Sequence, residues 1–337
     1  MEISFYVLAY NHSNLIEQAI NGALGQEGSP IEIIISDDCS TDDTWNKIQS
    51  VVAGYQGHHK VIARRNDKNL GIAEHINTIF GLCSGKWIFA SAGDDWSHPS
   101  RVRKTMELIA DNPKAMLVQT WLNEVDEKKQ LLYVNDLERH AIGSTFEKTS
   151  IADRLNNITF SGHGAAMAYS NTLISFFGAL PSDIIFEDNI LSLRAELLGE
   201  LLILKDPLVN HTNHDGQVTR VVANVSPEQS EKRRNLRLVS DINSTMQNYL
   251  DIQAVCKNQE TEKLSSLLRI YSQRLKYFKL KLNAITGRYP GRLIFLIALF
   301  CKGNKFAPLA KDDFIRGLLP LHLYRIVRKI NSVIRVC

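Results

Sequence analysis

At 337 residues with 44% apolar side chains, the chain exceeds one average domain and can bury a sizeable core. Its five cysteines, Cys39, Cys83, Cys256, Cys301 and Cys337, show neither a CxxC pair nor zinc spacing, and the odd count fits reduced thiols in a cytoplasm rather than a disulfide scaffold. The 39 basic and 36 acidic residues give a net charge of only +3, and Met1-Glu-Ile-Ser opens a strand without the basic and apolar stretches of a secretory leader.

The first element is an apolar strand, Ile3–Ala9, ending at Tyr10-Asn11-His12 and followed by helical spacing from about Leu15 to Leu24. A second strand, Ile31-Glu-Ile-Ile-Ile-Ser36, breaks at Asp37-Asp38 into a Ser/Thr/Asp cluster that predicts a helix around Trp45 to Val52. His58-His59 falls in a polar loop and is expected to be solvated. Another apolar run, Trp87-Ile-Phe-Ala-Ser-Ala92, delivers Asp94-Asp95 just before Ser97-His-Pro-Ser100. Strands alternating with helices predict a parallel sheet with crossover helices, whose ligand crevice lies beyond the carboxyl ends of the strands. Tyr10, Asn11, Asp37, Asp38, Asp94 and Asp95 all fall on that edge.

Paired acids at a strand end have competing uses. Adjacent carboxylates bind a hard divalent cation, with water and substrate phosphates completing its shell. They also cap a following helix, a role for which Ser97, Pro99 and Ser100 compete. A second acid pair on the same edge favours the first use. Downstream, Gly162-His-Gly164 lacks the third glycine of a dinucleotide site, and Gly81-Leu-Cys-Ser-Gly-Lys86 is one residue short of a phosphate loop. Phe186-Glu-Asp-Asn189 opens an amphipathic helix through Arg194 and Leu198, where Glu187 and Asp188 either cap the helix or carry chemistry.

Four segments occur together in order: Ala9-Tyr-Asn11; Ile34-Ile-Ser-Asp-Asp-Cys-Ser-Thr-Asp-Asp-Thr44; Arg65-Asn-Asp-Lys-Asn-Leu-Gly-Ile-Ala73; and Ser84-Gly-Lys-Trp-Ile-Phe89 with Gly93-Asp-Asp-Trp96. In this order and spacing they resemble family 2 glycosyltransferases of the GT-A fold. Gly162–Tyr169, Phe177-Gly-Ala-Leu-Pro181, Phe186–Ala195, Asp206-Pro-Leu-Val209 and His214 are similar to the acceptor half of the same family. The resemblance implies an α/β nucleotide-sugar-binding sheet with crossover helices over residues 1–225. Residues 1–115 would form the nucleotide-binding half and 116–225 the acceptor half, with a mostly helical region over 226–337.

The resemblance also implies inverting transfer from a UDP- or dTDP-sugar donor. Ala9, Tyr10 and Asn11 would line the nucleotide, with Tyr10 stacking on the base. Asp38 would accept a base N–H while Asp37 orients the loop, and Asn69 and Gly71 would cradle base and ribose; alternatively, Gly71 serves to relieve a tight turn. Asp94 would hold a divalent cation, Mn or Mg, on the diphosphate, with His214 touching metal or diphosphate. Asp95 and Trp96 would contact the donor sugar. Gly162, His163 and Gly164 would make room for the acceptor, Glu187 and Arg194 would serve the donor and acceptor site, and Asp188 would be the general base. Two departures stand out. Ala92 occupies the place of the first acid in the family's acid-x-acid metal motif, which leaves one carboxylate to do most of the metal binding. Cys39 replaces a glycine, so the turn there must tolerate a side chain.

Charge is unevenly spread along the chain. Tyr271 to Cys337 carries 14 basic residues against Asp312 and Asp313, a net +12, whereas the remainder carries −9. The run Leu293–Phe300 is far short of the roughly 18 to 20 residues that span a bilayer. Leu319, Leu323, Ile326, Val327, Ile330 and Ile334 recur at helical spacing with Arg325, Arg328, Lys329 and Arg335 on other faces. This pattern fits an anchor on an anionic membrane surface, or a stripe packed on the catalytic domain or a partner. No aromatics interleave the basic residues, which disfavours nucleic acid. The expectation is a cytoplasmic enzyme, peripheral on the inner face of the plasma membrane, acting on a growing surface glycan or lipid-linked acceptor. The alternatives are a degenerate nucleotide-binding scaffold without turnover, motivated by Ala92, and a nucleotidyltransferase, whose glycine- and lysine-rich N-terminal loop is absent.

Overall fold

The computed structural model describes residues 2–135, 146–156, 162–214, 227–259 and 261–286. The basic amphipathic tail lies outside the described residues. Contacts divide the chain into two compact units, Met1–Arg269 and Ile270–Cys337. The first unit runs past residue 225, to Arg269.

Four parallel strands begin the sheet: β1 (Ile3–Ala9), β2 (Glu32–Asp37), β3 (Lys60–Arg65) and β4 (Trp87–Ala92), in the order β3-β2-β1-β4. Helices α1 (Ile16–Leu24), α2 (Thr44–Gly54) and α3 (Ile72–Phe80) connect them. Side chains alternate between the two faces of each strand. Phe5, Val7, Ile33, Ile35 and Phe89 therefore pack with Ile16 and Ile20 of α1, while Tyr6, Ile34, Ile88 and Ala90 pack with Ile76 and Ile79 of α3. Strands buried on both faces read as continuous apolar runs, which is why Ile33-Ile34-Ile35 is unbroken and fully buried.

The chain continues through β5 (Trp96–Ser97), α4 (Arg101–Ala110), β6 (Ala115–Asp126), β7 (Leu131–Asn135), β8 (Phe146–Thr149), α5 (Ile151–Asn156) and a 3-10 turn at Gly164–Ala166. Then come β9 (Met167–Ser170), α6 (Asn171–Phe177), α7 (Asp188–Leu198) and β10 (Glu200–Asn213). Strand β9 runs antiparallel between β4 and β6, so β6 and its parallel neighbour β10 regain the direction of the first four strands. Six strands therefore present their carboxyl ends along one edge. Strands β7 and β8 pair with β6 and β10, and β5 pairs antiparallel with β10.

Buried Arg101 fastens the junction of these halves. Its guanidinium donates to Ala90 O at 2.8 Å, Ser97 Oγ at 2.9 Å and Met167 O at 3.1 Å, and sits beside the stacked Phe5 and Phe89 rings, 5.6 and 5.8 Å from their centroids. Burial lowers its pKa to about 10, so it stays charged at neutral pH.

Helix α8 (Pro227–Cys256) follows in the first unit, and α9 (Glu262–Thr286) follows after it. His58 is exposed as expected, whereas His59 departs from expectation. His59 is buried and stacked on Tyr55, with Nδ1 accepting from Ile31 N–H at 3.3 Å and Nε2 lying 3.1 Å from Gln26 O. Its polar neighbours in sequence conceal these partners on a distant segment.

Candidate active site

Strands β1 and β2 end side by side, with Ala9 opposite Asp37, and the loops that follow are stitched together. The Asn11 N–H donates to Ser40 Oγ at 2.9 Å, and Asn11 Oδ1 accepts from Thr41 N–H at 2.8 Å. His12 N–H donates to Thr44 Oγ1 at 2.8 Å and Ser13 N–H to Asp42 Oδ2 at 3.0 Å. The Ser/Thr/Asp cluster therefore fixes the path of residues 10–13 as well as starting α2. Tyr10 is left 43% exposed, with its ring accessible. Cys39 has φ 61°, in the left-handed region where glycine is at ease and an L side chain costs energy.

The first acid pair divides its work. Asp37 is fully buried and spent on the protein, accepting from the Ser40 N–H and hydroxyl and pairing with Arg65 Nε at 3.0 Å. Asp38 Oδ1 accepts from Asn66 Nδ2 at 2.7 Å and Leu70 N–H at 2.9 Å, and Oδ2 accepts from Gly71 N–H at 3.0 Å. A carboxylate has about four lone-pair sites, so these three donors leave one on Oδ2. Asn69 Oδ1 also accepts from Gly71 N–H at 3.0 Å. At Gly71, φ is 77° and an added Cβ would meet nothing within 4 Å, so glycine is there for the backbone turn.

At the end of β4 the second pair also diverges. Asp94 Oδ2 lies 2.9 Å from His214 Nε2 and 3.9 Å from His12 Nε2. Burial would raise Asp94, but the His214 hydrogen bond and the two imidazoles overcome it and hold the carboxyl below its usual range. The same bond raises the His214 pKa. Asp95 is turned into the sheet, 2% exposed, with Oδ1 accepting from Thr212 N–H at 2.9 Å. Thr212 Oγ1 donates to the Asp94 carbonyl at 2.5 Å, so β10 carries the clamp for both acids. This corrects the expected donor-sugar role of Asp95, which is an anchoring residue. Burial and the Asp94 charge push its pKa up to about 7. Trp96 pairs with Asn210, and its Cβ approaches α1 at Gly22.

Beside the clamp, His211 and Glu124 are register partners on β10 and β6, with Nδ1 and Oε2 2.9 Å apart. Burial opposes the charge, yet Glu124 and Asp95 raise His211 to about 9. His163 packs on His211 with ring centroids 5.5 Å apart, and burial, then His211, lower its pKa. The Glu124–His211 pair escaped the sequence reading, because only the pairing of two distant strands brings these residues together.

Asp188 begins α7, largely buried, with Oδ1 accepting from Asn189 N–H at 2.8 Å. Burial, then the Asp188 charge, push Glu187 up to about 8. The two glycines expected to make room for an acceptor make room for protein instead. An added Cβ on Gly164 would lie 2.0 Å from Glu187 Oε1, and one on Gly162 would lie 2.0 Å from Gln119 Oε1. A contiguous path thus runs from Asp188 and Glu187 through Gly164 and His163 to His211, Thr212 and Asp94. Arg194 is corrected outright. It is fully buried, its Nε donates to Asp251 Oδ2 at 2.7 Å, Nη1 donates to Gly178 O at 2.9 Å, and Phe177 packs against the guanidinium. It ties α7 to α8.

Among the described residues, no group of three or more His, Cys, Asp or Glu side chains is arranged as a metal cage. The donors that converge are Asp94 Oδ2 and His214 Nε2, with His12 Nε2 behind them and His12 Nδ1 buried without a partner. One carboxylate and an imidazole suit Mn²⁺ better than the all-oxygen shell preferred by Mg²⁺, provided that substrate and water complete the coordination.

Parallel strand ends aligned along one edge, beside an acid at the start of α7, fit a GT-A architecture. Residues 4–175, about half of the chain, match the model of "Glycosyl transferase family 2", and the chain belongs to that family. It is 36% identical over 107 residues to the succinoglycan biosynthesis protein ExoO of Rhizobium meliloti, covering 32% of this chain and 29% of that protein. It is 34% identical over 95 residues to the UDP-Glc:alpha-D-GlcNAc-diphosphoundecaprenol beta-1,3-glucosyltransferase WfaP of Escherichia coli, covering 28% of this chain and 36% of that protein. The matches to these two relatives therefore span little more than a third of their lengths at most. The fold is also that of S. aureus TarS 1–349 solved with UDP-GlcNAc, with a TM-score of 0.59 at 16% identity over 95% of this chain and 82% of that one.

Proposed function

We propose that the chain is an inverting glycosyltransferase that moves a sugar from a UDP- or dTDP-sugar to a growing surface glycan or lipid-linked acceptor. The observation that carries this reading is the contiguous path from Asp94, on the strand edge, to Asp188 at the start of α7. It is supported by membership of the family and by the likeness to ExoO, a succinoglycan biosynthesis protein, and to WfaP, a glucosyltransferase acting on a diphosphoundecaprenol-linked sugar.

In this reading Tyr10 stacks on the base and the remaining Oδ2 site of Asp38 accepts a base N–H. Asp94 and His214 hold a divalent cation, which when bound offsets charge on the leaving diphosphate. The acceptor hydroxyl oxygen attacks the anomeric carbon, its proton passes to Asp188, and the bond to the diphosphate oxygen breaks with its electron pair leaving on the diphosphate. Attack opposite the leaving group inverts the anomeric centre. Glu187 supports Asp188 from the Gly164 slot, and His163 with the Glu124–His211 pair forms the wall between acceptor and donor sides.

A scaffold without turnover is the second reading, and Ala92 is what favours it. Isothermal titration of the protein with UDP, with and without Mn²⁺, tests the donor site. Binding that tightens with Mn²⁺ is expected; absence of binding to any nucleoside diphosphate contradicts the enzyme reading.

A further inference from the structure

Eleven large apolar side chains are exposed among the described residues, and four of them are consecutive: Leu131 at 59%, Leu132 at 51%, Tyr133 at 55% and Val134 at 43%. They make up nearly all of β7. Neighbouring strand residues point to opposite faces, so exposure at four successive positions leaves both faces of this ribbon bare. A solvated strand alternates polar with apolar, and contiguous exposed apolar surface of this kind marks a contact site.

The ribbon has a defined place and tip. Register pairs Tyr133 with Glu124, and on the other side of β6 pairs Asp126 with Asn213, the neighbour of His214. The hairpin turn therefore lies at the same end of the sheet as Asp94. Asp126 closes that turn from within, with Oδ1 accepting the N–H groups of Lys128 at 2.9 Å and Gln130 at 2.8 Å. Lys128 and Lys129 remain exposed at the tip, next to Leu131.

We propose that the β6–β7 hairpin is an insertion element for an anionic lipid surface, seating the mouth of the active site against the headgroups. A second copy pairing along the β7 edge would satisfy its backbone but leave both side-chain faces in water. A lipid interface covers both faces at once, takes Tyr133 at headgroup level and places Lys128 and Lys129 against anionic phosphates. Insertion stops at the interface, because the outer edge of β7 has no strand partner among the described residues and unpaired backbone is excluded from the hydrocarbon core. The inference deepens the proposed function, since a diphospholipid-linked acceptor reaches the site only from such a surface, but the lipid contact is testable without turnover.

Hydrogen–deuterium exchange on the full chain reads this directly. With vesicles of phosphatidylglycerol and phosphatidylethanolamine in equal parts, residues 127–134 become protected; with phosphatidylcholine vesicles they do not. The pair Leu131→Ser with Leu132→Ser weakens partitioning onto the anionic vesicles by about tenfold, the effect of withdrawing two partly immersed leucines, and leaves the thermal transition unchanged. The same pair slows transfer to a lipid-linked acceptor while transfer to a short water-soluble one is retained. Failure of all transfer with hairpin protection intact would refute the enzyme reading and leave this one standing. Unchanged exchange at 127–134 on vesicles that bind the chain would overturn the proposal, as would protection that needs only high protein concentration, which identifies a second copy as the occupant.

Discussion

His214 Nε2 stands 2.9 Å from Asp94 Oδ2, across 120 residues of chain, and with the two Thr212 bonds it ties the end of β10 to the end of β4. If it marks a cation site, Asp94→Asn should abolish the tightening of UDP by Mn²⁺ while leaving metal-free binding within about twofold, and His214→Ala should weaken Mn²⁺-linked binding by about tenfold, the scale expected for loss of a supporting ligand. Titration calorimetry separates the two arms. Equal Mn²⁺ dependence in wild type and Asp94→Asn would place the cation elsewhere.

Glu187 is predicted to be a neutral acid at pH 7. Its pKa is raised from the ordinary 4.5 to about 8 by burial and Asp188, so between those values the folded chain holds a proton that the unfolded chain has released. Stability contributed by that proton is complete below about pH 4.5 and is lost as pH rises through about 8. Glu187→Gln, a neutral isostere, should flatten the fall in Tm across this window and raise Tm relative to wild type at pH 9. A parallel fall in both proteins would show that Glu187 is ionised throughout.

Gly164→Ala puts a methyl group 2.0 Å from Glu187 Oε1. Displacing that carboxyl by about an ångström next to Asp188 should lower kcat by about a hundredfold, with UDP affinity unchanged. Steady-state kinetics beside titration calorimetry provide the check.

Arg194→Ala leaves Asp251 buried without its cation and should cost about 3–5 kcal/mol in urea unfolding. Replacing both residues together, Arg194→Met with Asp251→Leu, should recover most of the loss. Recovery of stability with near wild-type KM would mark the pair as structural.

Local pattern carried much of this architecture. The strands before Tyr10, Asp38 and Asp94 were legible because apolar runs end where acids begin, and helix α1 was expected to within a residue of Ile16–Leu24. What local pattern hides is the partner. Asp94 and Asp95 are adjacent and chemically identical, yet Thr212 draws one into the sheet while His214 holds the other near the surface. Arg194 read as a site residue because Asp251 lies 57 positions away, and Gly162 and Gly164 read as space for a ligand because the side chains that fill it come from Gln119 and Glu187. Cys39 shows the opposite case: a departure from the family pattern seen in sequence became a positive φ in the structure.

In this mechanism Asp188 takes the acceptor proton, and Asp188→Asn is the decisive variant. Turnover of the cognate nucleotide sugar should fall by about a hundredfold or more while UDP binding stays within about twofold of wild type, as removal of a general base requires. Wild-type turnover in Asp188→Asn, with the protein folded and UDP bound, would contradict the account.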